Sequence, residues 1–294
     1  MVLVIMVSTM TIDCSKPKIM EDFYDEELLS KYVEAQLTSI EREILIDKNA
    51  VSKQDKILDV GCGPGRVSIY LSRFVNQIIG IDVSKSSVEY CNKRTSQLKI
   101  TNIRCFFADI TSENTLNMLK DYSPFDVALL LFNTIEGIPK RDNRILALKN
   151  INWLLKAQGR LILSIHNRYW FNWLKTTSLL NLRRLLFRLK SDKDLSLINQ
   201  CIKTSEFNSI ILKTSTTIYP WYIHSFMDIR KELKHAGFLI ERVFLTEDDN
   251  PLRPAQYKIL DEINYSKTTE ALLLLIKILS SPKYYIIARK QSEL

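Results

Sequence analysis

The chain has 294 residues, 46% hydrophobic and 25% charged, which is ordinary usage for a globular protein with one large core and an addition. Its net charge is +8, and its five cysteines (Cys14, Cys62, Cys91, Cys105 and Cys201) form no C-x-x-C pair. An odd, unpatterned cysteine set argues against a disulfide scaffold or a cysteine zinc site and for a reduced, cytoplasmic compartment. The apolar stretch Met1–Ile12 lacks a basic start and is too short to cross a bilayer, so residues 1–20 read as an N-terminal extension with two open readings: an unstructured segment, or sequence upstream of a start at Met10 or Met20. From Glu21 to Ile46 the apolar spacing is helical, with acids crowding the first turn.

The most specific signal follows. Of seven glycines in the chain, three lie within five positions: Gly61, Gly63 and Gly65. An apolar run, Lys56–Val60, precedes them, and Val67–Leu71 behind them has helical spacing, so the segment reads as strand, glycine turn, helix. A dinucleotide fingerprint, G-x-G-x-x-G, requires glycine at position 66, where Arg66 stands; the pattern present is D-x-G-x-G-x-G, opening at Asp59. Gln77–Asp82 then reads as a second strand ending in an acid, and Ile103–Asp109 as a third ending likewise. Phe125–Phe132 is almost wholly apolar, as a strand buried on both faces requires. Ile145, Leu148, Ile151 and Leu155 mark a helix, Gly159 a turn, and Arg160–His166 a fifth strand. Further on, Ser225 with Asp228 approximates a capping box, and Ile229, Leu233 and Ala236 share one helix face that ends at Gly237. Phe238–Phe244 and Lys283–Lys290 read as the sixth and seventh strands.

Taken in order, residues 50 to 167 resemble the class I, Rossmann-like S-adenosylmethionine (SAM) dependent methyltransferases, whose motif I is the D-x-G-x-G-x-G turn. The resemblance implies an α/β fold with a doubly wound, seven-stranded, mostly parallel sheet whose last strand is antiparallel. It implies SAM as cofactor, with contacts from Asp59, Gly61, Cys62, Gly63, Gly65 and Arg66 in the first turn. Further contacts are implied from Asp82 and Val83 after the second strand, Asp109 and Ile110 after the third, and Phe132 and Asn133 after the fourth. The expected division is a SAM-binding core at 21–167, a basic, aromatic, helical cap insertion at 168–222, and a completing segment at 223–294 with a helical insertion at about 247–282.

The acceptor side is less defined. The cap segment 168–222 holds nine basic and three acidic residues, a net +6 of the chain's +8, and is rich in aromatics. Within it, residues 178–190 form a basic amphipathic pattern with three open readings: a lid, a peripheral membrane contact, or a grip on a phosphate-bearing or RNA substrate. Residues 271–279 are apolar and read as a buried helix or a dimer contact. The loop after the fourth strand, Phe132-Asn133-Thr134-Ile135-Glu136-Gly137, lacks the prolines used for methylating base amines, and no cysteine ends strand four or five for attack on a pyrimidine. Glu136 alone does not make a metal site. What remains is direct displacement at a sulfonium methyl, aided by a base where the acceptor carries a proton. His166 ends the fifth strand and His224 precedes the cap of a later helix, so both are candidate catalytic residues, while His235 reads as a surface residue. The expectation is a methyltransferase for a small, metabolite or lipid-like acceptor; a tRNA methyltransferase and a non-catalytic SAM-binding subunit are the alternatives.

Overall fold

The structure, a computed structural model, describes residues 3–6, 37–169, 209–213, 218–247, 258–264 and 281–291. After β1 (Leu3–Met6), Thr38 opens the short helix α1 (Ser39–Arg42) with a capping box, accepting from Glu41 N while Glu41 accepts from Thr38 N. Strands and helices then alternate: β2 (Lys56–Val60), α2 (Arg66–Leu71), β3 (Gln77–Asp82), α3 (Lys85–Gln97), β4 (Ile103–Phe107), α4 (Glu113–Leu119) and β5 (Phe125–Leu130). A tight turn at Thr134–Gly137 leads to α5 (Arg141–Leu154) and β6 (Leu155–His166). Beyond lie β7 (Ser209–Lys213), β8 (Ile218–Tyr222), α6 (Phe226–His235), β9 (Phe238–Thr246), β10 (Ile259–Asn264) and β11 (Lys283–Lys290).

Eight strands form the main sheet in the order β10-β9-β11-β6-β5-β2-β3-β4. The neighbours from β6 across to β4 pair in parallel, whereas β11 runs antiparallel to both β6 and β9. Strand period two sends side chains alternately to two cores. Leu58, Val60, Ala128, Leu130, Leu161 and Leu163 face one core with Leu148, Ile151 and Leu233; Ile57, Val127, Leu129 and Ile162 face the other with Ile40, Ile44, Leu71 and Cys91. Each leucine, isoleucine or valine among them contributes ~1.5–3 kcal/mol by leaving water, so both faces are sealed and the strand ends remain for a site.

Three features differ from the sequence expectation. The sheet has eight strands, not seven, because part of the segment read as a helical insertion is β10, antiparallel to β9. Its alternation, with Ile263 buried and Leu260 exposed, is that of an edge strand, and Glu262 anchors it to Lys48 and Arg242. The fifth strand of the core, β6, begins at Leu155 and carries Gly159 inside it, where its ladder with β5 shifts register. Finally, β1, β7 and β8 form a separate antiparallel three-stranded sheet, so segments read as an unstructured extension and a helical cap also contribute strands. The patterns at 178–190 and 271–279 lie outside the described residues, as do Cys14 and Cys201. No described helix is long and apolar enough to cross a membrane.

Candidate functional site

The parallel strands all end on one edge, and the first turn there is built from glycines with positive φ: Gly61 at 73°, Gly63 at 54° and Gly65 at 87°. At Gly61 a side chain is excluded twice, by that backbone angle and because a Cβ would collide with the Thr134 side chain. The turn hangs from the end of β3. Gly61 N and Cys62 N donate to the Ile81 carbonyl at 2.8 and 3.1 Å, and Gly63 N donates to Asp82 Oδ2 at 2.8 Å. Asp82 Oδ1 accepts from Ser84 N at 2.8 Å. Burial pushes the Asp82 carboxyl above its ordinary range, and the N–H groups of Ser84, Gly63 and Val83 offset that only in part.

The other positions implied to touch the cofactor divide into two groups. Asp59 is buried, accepts the Ser68 hydroxyl at 2.6 Å, and is raised by burial to about 6. Asp109 Oδ1 accepts from the Thr111 amide and hydroxyl, both at 2.8 Å, leaving Oδ2 outside that turn. Phe132 lies at the strand-end edge, with Arg66 and Lys283 5.8 and 5.6 Å from its ring centroid. Three side chains are committed elsewhere. Cys62 packs in the core with Cys91 and Cys105, Ile110 packs in the opposite core, and Arg66 forms a buried bidentate pair with Glu41 at 2.6 and 2.7 Å. From Cys62, only backbone is left for a ligand. A glycine cradle that no side chain can fill, with buried Asp82 and part-buried Asp109 at neighbouring strand ends, fits a nucleoside carrying an amino-acid tail.

Beside the cradle the chain takes two successive left-handed residues, Phe132 (φ 55°) and Asn133 (φ 61°), a costly arrangement fixed by Asn133 N donating to Ser164 Oγ at 2.9 Å. Asn133 Nδ2 lies 3.2 Å from His166 Nε2, while buried Asn133 Oδ1 has no partner among the described residues. His166 Nδ1 is 2.7 Å from Glu136 Oε2. Glu136, 1% exposed, also accepts from His166 N (3.1 Å), Trp221 Nε1 (3.1 Å) and His224 N (3.3 Å). Burial alone would raise Glu136; the charge and hydrogen bond of His166 and the hydrogen bond of His224 overturn that and hold its carboxyl down at about 2.

His224 is fully buried, with Nε2 3.2 Å from Glu232 Oε2, while Nδ1 faces Glu136 Oε1 at 3.5 Å and makes no hydrogen bond among the described residues. Burial lowers its affinity for a proton, but the two carboxylates prevail and raise it above the ordinary value. Glu232 in turn is gripped by Arg144 Nε and Nη2 at 3.2 and 3.0 Å. The structure thus brings both candidate histidines onto Glu136, with His166 partly exposed at the strand-end edge and His224 sealed inside. Sequence reasoning noticed Glu136 only as a lone acid and gave Trp221, Glu232 and Arg144 no role. Trp221 carried a weak signal in its aromatic run; Arg144 and Glu232, 88 positions apart, carried none.

The fold and this strand-end cradle define the class of SAM-dependent methyltransferases with a doubly wound sheet. The chain belongs to the methyltransferase domain family, whose profile matches residues 51–223, more than half of its length. It is similar to the ubiquinone biosynthesis O-methyltransferase of Coxiella burnetii, at 28% identity over 124 residues, covering 42% of this chain and 48% of that protein. The chain therefore spans about half the length of the curated relatives it matches first. Among solved structures it shares its fold with a SAM-dependent methyltransferase of Methanosarcina mazei (TM-score 0.56, 16% identity, 84% of this chain and 98% of that one). It shares it also with the magnesium protoporphyrin IX methyltransferase of Synechocystis PCC 6803, solved with bound SAH (TM-score 0.51, 16% identity, 92% and 97%). SAM is the cofactor of the family.

Proposed function

We propose that the chain transfers the methyl group of SAM to a small-molecule acceptor whose nucleophilic atom carries a proton, with His166 taking that proton. Bound SAM supplies an electrophilic methyl on a sulfonium; the protein's part is to hold, orient and deprotonate. In this reading Asp82 and Asp109, at the ends of β3 and β4, accept hydroxyl or amino protons of the ligand, and the Gly61–Gly65 turn lets backbone approach it. The carrying observation is His166 itself: a partly exposed imidazole at the end of β6, its Nδ1 2.7 Å from a buried carboxylate. That geometry leaves Nε2 as the basic position. His224, with both nitrogens between carboxylates and no exposure, suits a fixed internal cation better than a base. The names of the relatives, a ubiquinone-pathway and a porphyrin methyltransferase, support a small acceptor. The RNA and membrane readings draw on the pattern at 178–190, outside the described residues.

The test uses SAM labelled on its methyl group, incubated with purified protein and fractionated cell extract. Label in the organic-soluble or small aqueous fraction supports the proposal. Label in RNA overturns the acceptor class, and SAM binding without transfer to any fraction supports a non-catalytic subunit. With an active fraction in hand, His166→Ala is expected to lower transfer by ~10²–10⁴-fold while leaving SAM affinity unchanged; undiminished transfer removes His166 from the chemistry.

A further inference from the structure

Glu136 fills its hydrogen-bonding capacity, and it does so from separate parts of the chain. Oε2 takes the His166 ring and the Trp221 indole; Oε1 takes the backbone N–H groups of His166 and His224. The donors come from the end of β6, from β8, and from the link between β8 and α6. Burying an anion is costly unless it is fully hydrogen-bonded, and here it is held in a turn that opens on two left-handed residues. That expense is concentrated at the one carboxylate touching the imidazole at the strand-end edge.

The chemistry of the contact fixes a tautomer. An ionised carboxylate can only accept, so His166 Nδ1 must carry hydrogen, and the neutral ring must place its lone pair on Nε2. Asn133 agrees: its amide N–H faces Nε2, while its oxygen has no partner among the described residues. A half-turn of that amide would present the oxygen to a protonated Nε2, so the same side chain can serve His166 before and after proton uptake. Trp221 shares the very oxygen that holds the ring, so the seating of β8 and the setting of His166 depend on one group.

We propose that Glu136 is a positioning residue, which holds His166 in the Nδ1–H tautomer with Nε2 basic and ties that setting to the seating of β8 through Trp221. The inference rests on the reading of His166 as base, but its principal test does not require turnover. The chain has only three histidines, so protein labelled with 15N-histidine and saturated with S-adenosylhomocysteine gives a readable imidazole spectrum. His166→Asn identifies the His166 signals. At alkaline pH the wild type is expected to show Nδ1–H and a bare Nε2 at His166, against the preference of free histidine for Nε2–H.

Glu136→Gln, whose amide cannot accept from both sides, is expected to move His166 toward Nε2–H and to cut methyl transfer by ~10²–10⁴-fold, as loss of the correct tautomer does in hydrolase triads. S-adenosylhomocysteine affinity should stay within about threefold. Trp221→Phe, the milder change, should shift the His166 nitrogens without unfolding the chain, and it decides the matter together with the wild-type spectrum if Glu136→Gln does not fold. A wild-type His166 that is mainly Nε2–H, a folded Glu136→Gln with the wild-type tautomer, or Trp221→Phe with unmoved His166 signals overturns the proposal. The expected tautomer with full transfer by His166→Asn overturns the base reading instead, leaving the positioning of the ring intact.

Discussion

At the scale of single residues, Asp82 is engaged before any ligand arrives: one oxygen holds the glycine turn and the other holds Ser84. Its replacement therefore acts twice, removing acceptors for a ligand and releasing Gly63 N. Asp82→Ala is expected to lose ~1.5–3 kcal/mol of SAM binding, the usual worth of hydrogen bonds to a charged group, as measured by calorimetry. An unaltered affinity would mean that β3 does not end at the cofactor. The reason Asp82 was legible in the sequence is that its signal is local: an acid closing an apolar run at a set distance from a glycine turn. Glu136 was not, because what makes it notable is burial among donors from β6 and β8, which no spacing displays. Arg66 shows the converse. It sits in the motif, yet its guanidinium goes to Glu41, 25 residues earlier, and clamps α1 against α2.

At the scale of elements, α5 and α6 are joined by the pair Arg144–Glu232, each partner 1% exposed, with the Arg144 guanidinium also 3.9 Å from the Tyr222 ring centroid. Removing Arg144 leaves Glu232 buried with only part of its compensation, the His224 ring 3.2 Å away. Arg144→Met is thus expected to cost about 3–5 kcal/mol, read as a lowered urea midpoint at unchanged slope. Arg144→Met combined with Glu232→Leu should cost less than the two single changes together, because neither charge is then stranded. A midpoint unmoved by Arg144→Met would show the pair to be dispensable. Elements announced by their ends were readable. Ser225, Asp228 and Gly237 bracket α6, and β11 spans Lys283–Lys290 as its apolar run suggests. β10 was missed because Ile-Leu-Asp-Glu-Ile-Asn opens on two adjacent apolar residues and so matches neither period well. The small sheet was missed for a different reason: Leu3 pairs with Lys213, and a partner so distant leaves no local trace.

At the scale of the whole molecule, the buried titratable groups shape stability against pH with opposite signs. Glu136 is held below its unfolded value of 4.5, so its contribution is present above pH 4.5 and is lost as pH falls toward 2. His224 is raised above 6.5, so its contribution is complete below that pH and is lost as pH rises through the folded value. Asp59, raised from 3.8 to about 6, likewise favours the folded state below 3.8 and loses that contribution as pH climbs through 6. Urea midpoints of wild type and His224→Gln, compared across pH, should therefore converge on the alkaline side and separate on the mildly acid side. A constant difference would show that His224 does not change charge on unfolding. The order of the main sheet carries a consequence for the making of the protein. β11, near the end of the chain, lies between β6 and β9, so until residues 283–290 have left the ribosome the two halves of the sheet face each other across an empty lane. The nascent chain meanwhile presents the bare edges of β6 and β9, templates for pairing with other chains, and a message cut short before Lys283 would yield a protein that keeps its glycine cradle and cannot close its sheet.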